Sequence, residues 1–503
     1  MKKLVLGRFA VLFSVLACMQ FNVQAVETSA LLNFNTIQSS GTHSTKQQAM
    51  KINALMNDYH ALRELNGSVL VAKNGKIIFE KGFGKANFQW GIKNDPNTKF
   101  RIGSLTKQFT ATLILQLVEQ GKIALNQPIS EYLPYYRKDN ANKVTIHQLL
   151  NHTSGIPNYT RDKDFRDQVS RNPYEVKAFI QKHCSDELAF EPGSQFQYSN
   201  SGYFILGAII ESVTGDTYAE VLEQQILSPL KMHDTGYDNG QEILTNKAQG
   251  YDKLLEGYQH TSYVDMSIPY AAGSMYSTTR DLLKWDSALY QQTLLKTSSL
   301  ARMFDDTSGR NYGYGWMIEQ LPAEKFGQTK TVVKHGGGIN GFNAFITRVI
   351  EDKYLVIILN NAGGAPMTAM TEGILNILYN KSVAPAQQHP RYALYQQYKN
   401  GGIKALEQHH KSLSQKDESI SERQLNSLGY SLISEKRLAD AIKIFTFTTR
   451  VYPKSANAYD SLAEAYYLDE QFEQAMKFYQ TSLSIDKSND NAKQMIEKIS
   501  ALL

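Results

Sequence analysis

The chain is 503 residues long, 42% hydrophobic and 20% charged, with a formal net charge of +5. That length exceeds one ordinary domain and predicts two or three, and the balance of apolar to charged residues excludes a disordered chain. Residues 1–25 read as a removable segment holding Lys2, Lys3 and Arg8 and no acid, so the charge of what remains falls from +5 to +2, too near neutral for a nucleic-acid footprint.

That first segment has the parts of an export signal: a basic start, an apolar run over 9–21, and Val23-Gln24-Ala25 as a small-residue cleavage site. The run is shorter than a bilayer span, which argues against a retained anchor. Val15-Leu16-Ala17-Cys18 gives a second reading, a lipoprotein signal with Cys18 acylated, and only then is a membrane involved. Cleavage after residue 25 leaves Cys184 alone, so neither an internal disulfide nor a cysteine-type metal site is expected. His409-His410 is the only adjacent histidine pair and sits in a polar helical stretch. No metal and no cofactor are called for.

Residues 26–45 are polar and aperiodic, a flexible leader. A helix is expected over 46–64. Two apolar runs, 67–72 and 76–81, then flank Asn74-Gly75, a strong hairpin signal. A second hairpin is expected late, 343–350 and 354–359 around Glu351-Asp352. Between them the chain is mostly helical, including 104–120 with Gly121 just past its end and an apolar helix over 204–212. Early and late hairpins sharing one antiparallel sheet with helices packed around it make an α+β domain over 46–382.

After residue 382 the texture changes to a 34-residue period. Leu425, Leu428, Gly429, Leu432, Ala441, Phe445 and Pro453 recur as Tyr459, Leu462, Ala463, Tyr466, Ala475, Tyr479 and Lys487. Those offsets fit paired helices of tetratricopeptide type over 421–503. A helical connector over 383–420, with 392–413 interrupted at Gly401-Gly402, and a terminal helix over 491–503 would cap them. Such a module predicts a protein partner.

Three clusters carry chemistry. Ser104-Leu-Thr-Lys107 opens the helix over 104–120 and puts a hydroxyl and an amine on one face, beside unpaired N–H groups at the helix start. That is the arrangement of a serine nucleophile with a lysine base. The spacing recurs at Ser228–Lys231 and Ser484–Lys487, so it means nothing alone. Tyr198-Ser199-Asn200 follows a Pro-Gly turn and precedes the apolar helix. A tyrosine can relay a proton if a nearby ammonium lowers its pKa, and an asparagine amide can hold a substrate carbonyl and the lysine together. Tyr-x-Asn also recurs, at Tyr237–Asn239 and Tyr398–Asn400. The third cluster is Lys334-His335-Gly336-Gly337-Gly338, where glycines let backbone approach a ligand and an edge strand could pair with an extended substrate. A lipase-type reading of His-Gly-Gly-Gly fails, because the chain has no Gly-x-Ser-x-Gly.

These strings, with Val144-Thr-Ile-His-Gln-Leu-Leu-Asn-His152-Thr-Ser-Gly155, Ser228-Pro-Leu-Lys-Met232, Ala271-Ala-Gly273 and Tyr314-Gly-Trp316, resemble the serine hydrolases of class C β-lactamase type. That group includes D-alanyl-D-alanine carboxypeptidases, D-aminopeptidases and esterases. The resemblance covers residues 46 to about 380. It implies a β-lactamase/transpeptidase-like fold, with an antiparallel sheet flanked by helices and an all-helical subdomain. It also implies Ser104 as the acylated nucleophile, Lys107 as its basic partner, Tyr198 as base or relay, and Asn200 as holder of the substrate amide. His335, Gly337 and Gly338 would line the substrate, with the N–H groups of Ser104 and Gly338 as oxyanion hole. Whether Lys107 or Tyr198 is the base stays open. True class C β-lactamases hold a lysine where this chain has His335, and a histidine with pKa near ~6.5 is mostly neutral at pH 7. The resemblance therefore implies an exported serine hydrolase, periplasmic or secreted, acting on D-Ala-type peptides or esters. β-Lactam hydrolysis is the alternative within the class, and an inert fold serving as a scaffold for the repeats is the alternative outside it.

Overall fold

Side-chain alternation along the central strands sets the architecture. The computed structural model describes residues 43–162, 164–415 and 418–503; the export signal, Cys18 and most of the leader lie outside them. The main elements in chain order are α1 (His43–Ala61), β1 (Gly67–Lys73), β2 (Lys76–Phe83), α2 (Thr106–Glu119), α3 (Asn200–Thr214), α4 (Thr279–Gln291), β3 (Met317–Leu321), β4 (Lys330–Ile339), β5 (Phe342–Val349), β6 (Tyr354–Asn360) and α5 (Met367–Leu378). Strands pair in the order β3-β4-β5-β6-β1-β2, all antiparallel. Val69, Val71, Val356 and Ile358 pack into one core with Met56 of α1 and Ile374 of α5. Leu70, Ala72, Leu355, Ile357 and Leu359 pack into the other, with Phe109 of α2 and Trp285 of α4. Period-2 strands buried on both faces thus make a three-layer α+β domain.

The early hairpin turns at Asn74 (φ 49°) and Gly75 (φ 73°), two successive left-handed residues as a tight two-residue turn demands. Two expectations shift. Helix α1 begins inside the presumed leader, at His43, and ends at Ala61 rather than at residue 64. The helix expected over 104–120 is a 3₁₀ turn, Gly103–Leu105, continuing into α2.

Beyond the sheet lie α6 (Pro390–Ser414), α7 (Glu422–Ser434), α8 (Leu438–Val451), α9 (Ala456–Leu468), α10 (Phe472–Ile485) and α11 (Asp490–Ser500). Helices α7–α10 form two antiparallel pairs of tetratricopeptide-like pattern, and α6 is broken by non-helical backbone at Gly401 and Gly402. This module sits on the α+β domain through a short hairpin, Tyr251–Lys253 and Tyr258–His260. Leu255 at its tip is buried among Tyr392, Tyr395 and Leu428, and its N–H donates to Glu435 Oε1 at 2.6 Å. Beneath it Lys253 and Glu64 form a buried ion pair at 2.5 Å, with the ammonium 4.7 Å from the Tyr392 ring centroid. Among the described residues no helix is long and apolar enough to cross a membrane.

Candidate active site

Polar side chains on the buried face of α2 tie its first turn to the segment Tyr270–Gly273. Thr110 Oγ1 donates to the Ala271 carbonyl at 2.6 Å, and Lys107 Nζ reaches the Ala272 carbonyl at 2.8 Å. Thr106 Oγ1 closes the 3₁₀ turn onto the Gly103 carbonyl at 2.7 Å. Ser104 is held one residue before that turn ends, with its Oγ 3.1 Å from Lys107 Nζ. The third contact of Nζ is Asn200 Oδ1, at 2.7 Å. Asn200 is the first residue of α3, and its own N–H is fixed by Asn158 Oδ1 at 3.2 Å.

These contacts and burial both bear on the proton of Lys107. The side chain is fully buried, and burial pushes its pKa well below the ordinary lysine value. Asn200 Oδ1 and the Ala272 oxygen can only accept, so they use two N–H groups. A neutral amine has no third hydrogen, and the direction left to its lone pair is toward Ser104 Oγ.

Tyr198 stands beside this pair. Lys107 Nζ lies 4.9 Å from its ring centroid. The ring is half-buried, but the hydroxyl is buried and lacks a hydrogen bond of normal geometry. Burial raises its pKa far above 10, and the nearby Ser104 hydroxyl only partly offsets that. This corrects the expectation that an ammonium would lower it. Burial works against the positive charge on Lys107 as well, and it holds the phenol toward its protonated form.

His152 anchors the Tyr198 segment and was assigned no role from the sequence. Its carbonyl accepts the Gln197 N–H at 2.9 Å, and its Nδ1 accepts the Ser199 N–H at 3.2 Å, bracketing Tyr198 on both sides. Its ring lies 4.3 Å from that of Tyr198, and its backbone is left-handed (φ 62°). Some 46 residues of chain separate it from Tyr198, so no local pattern could have exposed the link.

His335 and Gly337 are placed differently from what the resemblance implied. His335 is 3% exposed. Its Nδ1 lies 2.7 Å from the Gly336 carbonyl, which can only accept, so Nδ1 carries the hydrogen and Nε2 accepts the Tyr312 hydroxyl at 2.9 Å. Both ring nitrogens are thus engaged by the protein's own groups, and burial beside Lys107 opposes a charge on the ring, lowering the pKa to about 3. Gly337 is buried against backbone: a Cβ there would stand 1.9 Å from the Ile102 carbonyl oxygen. Gly103 fits the same way, a Cβ on it falling 2.9 Å from the Gly338 nitrogen. Only Gly338 is open, its would-be Cβ meeting nothing nearer than Asn343 Nδ2 at 3.9 Å.

Strand β3 covers β4 only as far as Lys334. From His335 onward that edge of β4 has no strand partner among the described residues and runs past Ser104. Lys334 points to the opposite face and pairs with Glu319. Between the β4 edge and Asn200 lies a small cleft of about 130 Å³, lined also by Tyr159, Phe165, Val264, Ile268, Ile339 and Asn340, with no charged residue among the described residues of its walls. The repeated motifs fall elsewhere. Ser228 caps onto Glu223, Ser484 onto the Thr481 carbonyl, and the Tyr398 hydroxyl onto Asp440.

Comparison with known proteins agrees with this geometry. The chain is 33% identical over 305 residues to the teichoic acid D-alanine hydrolase of Staphylococcus aureus, spanning 59% of this chain and 71% of that one. The crystal structure of FmtA from Staphylococcus aureus superposes with a TM-score of 0.56 at 29% identity, covering 72% of this chain and 98% of FmtA. The D-amino acid amidase of Ochrobactrum anthropi superposes with a TM-score of 0.56 at 25% identity, covering 66% and 99%. With residues 52–379 also matching the β-lactamase family model, and a serine, a buried lysine and an asparagine converging where the sheet edge opens, this chain belongs to the β-lactamase family and is a serine hydrolase.

Proposed function

We propose that the protein is an exported hydrolase that removes D-alanyl-type acyl groups from esters or amides through an acyl-enzyme on Ser104. The observation that carries this is the set of three contacts at Lys107 Nζ, which leaves a neutral amine's lone pair facing Ser104. Ser104 Oγ attacks the substrate carbonyl carbon while its proton passes to Nζ. The developing oxyanion is received by the N–H groups of Ser104 and Gly338. The C–O or C–N bond to the leaving group then breaks, and the protonated Tyr198 hydroxyl donates to that group and regains its proton from Lys107. Water attacks the ester by the reverse route, giving a proton to Lys107, which passes it to Ser104 Oγ as the acyl–oxygen bond breaks and the acid leaves. Asn200 spends its oxygen on Lys107, so its amide N–H groups serve the substrate carbonyl. This division makes Lys107 the base and Tyr198 the acid.

Substrate class follows from charge. A carboxylate beside the scissile bond, as in a D-Ala-D-Ala terminus or a β-lactam, would meet no cation among the described residues that line the cleft, and burial holds the His335 pKa down to about 3. An ester or amide of D-alanine has no such carboxylate. The relatives named for teichoic acid D-alanine and for D-amino acid amides support the same class. Export rests on the pattern of residues 1–25, and the repeat module would hold a protein partner in that compartment. Steady-state kcat/KM values for a D-alanyl ester, D-alaninamide, a D-Ala-D-Ala peptide and a cephalosporin, with intact-mass detection of the Ser104 adduct, test the reading. The D-alanyl ester or amide should lead by at least tenfold. A lead for the cephalosporin, or full activity in Ser104→Ala, would overturn it.

A further inference from the structure

Among the described residues the most exposed large aromatic side chain is Trp90, at 82%. It stands at the tip of a short hairpin, Lys85–Asn87 paired with Ile92–Lys93, where every residue from Gln89 to Lys93 is exposed. The turn that carries it is nevertheless tied down. Asn87 Oδ1 accepts the Trp90 N–H at 2.8 Å, and the Phe88 N–H donates to the Tyr251 hydroxyl at 2.9 Å. The Phe88 ring stacks on Tyr258 with 4.6 Å between centroids, and the Gln89 side chain contacts both Tyr251 and His260. A fixed turn thus holds an indole in water, and Ile92, two residues on, is 56% exposed. Neither side chain serves the core, and large apolar groups presented together in this way mark a contact surface.

Charge selects the partner. Residues 85–93 hold Lys85 and Lys93 and no acid. The two lysines are direct cross-strand partners, a like-charge pairing that costs the hairpin stability and that an anionic surface relieves. We propose that this tip docks on an anionic lipid bilayer, with Trp90 and Ile92 entering the headgroup region and Lys85 and Lys93 facing the phosphates. An indole suits that layer, because its body is apolar and its N–H stays wet, and each lysine adds attraction to anionic lipid. A glycan-stacking platform would set hydrogen-bonding side chains beside the ring, whereas Gly91 and Ile92 follow it. This docking needs neither an acyl group on Cys18 nor turnover at Ser104. It does bring the bilayer near the cleft: two residues beyond His260, Ser262 accepts from Asn340 of the cleft wall through its carbonyl at 2.8 Å and its hydroxyl at 3.1 Å.

The test uses the processed chain, residues 26–503, which keeps every described residue and lacks both Cys18 and the apolar run of the export signal. Vesicles are of phosphatidylcholine alone or mixed with phosphatidylglycerol. The chain has three tryptophans, and Trp285 and Trp316 are 0% exposed, so acrylamide quenching of indole fluorescence reads Trp90. Mixed vesicles should blue-shift the emission and shield it from acrylamide. Partitioning onto them should be about tenfold or more above that onto phosphatidylcholine alone, the worth of two lysines at an anionic surface. Trp90→Ala removes a side chain left in water, so the fold is kept, and partitioning should fall by about tenfold or more. Lys93→Gln should cost about fivefold on mixed vesicles and nothing on phosphatidylcholine. Trp90 left open to acrylamide on mixed vesicles would overturn the proposal, as would partitioning indifferent to Trp90→Ala or equal on the two lipids. Shielding of Trp90 by soluble chitotetraose without lipid would assign the indole to a glycan and overturn it too.

Discussion

Neighbouring glycines at 337 and 338 should respond to alanine in opposite ways. Neither has a left-handed backbone, so both can take a side chain without dihedral strain. At Gly337 the new Cβ would sit 1.9 Å from the Ile102 carbonyl oxygen, whereas real Cβ contacts are essentially never under 3.0 Å. The strand and the Ile102–Ser104 segment must therefore separate by about 1 Å. Ile102 is two residues from the nucleophile and Gly103 already abuts Gly338, so the movement passes to Ser104 and to the gap between the two oxyanion N–H groups. A misplacement of about 1 Å costs on the order of 100-fold in rate, or about 2.7 kcal/mol of barrier. Gly338→Ala meets only Asn343 Nδ2 at 3.9 Å and should fold normally, with any loss falling on KM as the methyl enters the cleft. Ester turnover of both variants, with melting temperatures alongside, decides the matter. If Gly337→Ala keeps kcat within threefold of wild type while folded, the close-approach argument is wrong. If both variants behave alike, Gly337 is a substrate contact after all.

Other outcomes follow from the same contacts. Activity requires neutral Lys107, so kcat/KM should be present above its lowered folded pKa and fall as pH drops through it; His335, at about 3, should leave no inflection between pH 5 and 8. Folding releases the Lys107 proton between that lowered value and the ordinary 10.5, so stability should rise with pH across that window; Lys107→Met should lose this slope, melt higher at pH 7 in urea titrations and show no turnover. His335→Lys removes two internal hydrogen bonds and places a second amine near Lys107, so lower stability by about 1–3 kcal/mol and no new activity on carboxylate-bearing substrates are expected from melts and a cephalosporin assay. A chain ending at residue 385 keeps every contact of Ser104, Lys107 and Tyr198 and should hydrolyse small esters normally, but it exposes Leu255, for a loss of about 1.5–3 kcal/mol in chemical melts.

What the sequence revealed was local, and what it hid was long-range. Ser104 and Lys107 are three apart on one helical turn, so their pairing is legible from spacing alone. The turn at Asn74-Gly75, the 34-residue period and the break at Gly401-Gly402 are equally local. Asn200, by contrast, meets Lys107 across 93 residues, and the Ala272 carbonyl across 165. Strand β3 was missed because it is a short, exposed edge strand whose Met317-Ile-Glu-Gln-Leu carries little apolar signal. The end of β4 is a strand, as an edge strand at Gly336–Gly338 was expected; glycine is poor in strands, but pairing with β5 overrides that weakness, and Gly337 is required by what lies against it.

Electrostatics at the site could not be read from residue types, because burial reverses the usual expectations. By composition, Lys107 is a cation, Tyr198 an acid made stronger by that cation, and His335 a switch near neutrality. In the folded chain each is desolvated, and desolvation is the largest influence on all three. It moves them in the directions that remove charge: the amine down, the phenol up, the imidazole down. A second influence then couples them, since whatever positive charge Lys107 carries further opposes protonation of His335. Desolvation thus biases the resting site against charge, and on the mechanism proposed above the first charge to form is the oxyanion on the substrate, together with the ammonium that Ser104 creates at Lys107. Charges born together in a dry site attract strongly, whereas a permanent ammonium would be available to the ground state as well and would discriminate less in favour of the transition state. On this argument a lysine at 335, by placing a second amine in the same enclosure, does not simply add a subsite; it competes with Lys107 for the one proton the reaction moves.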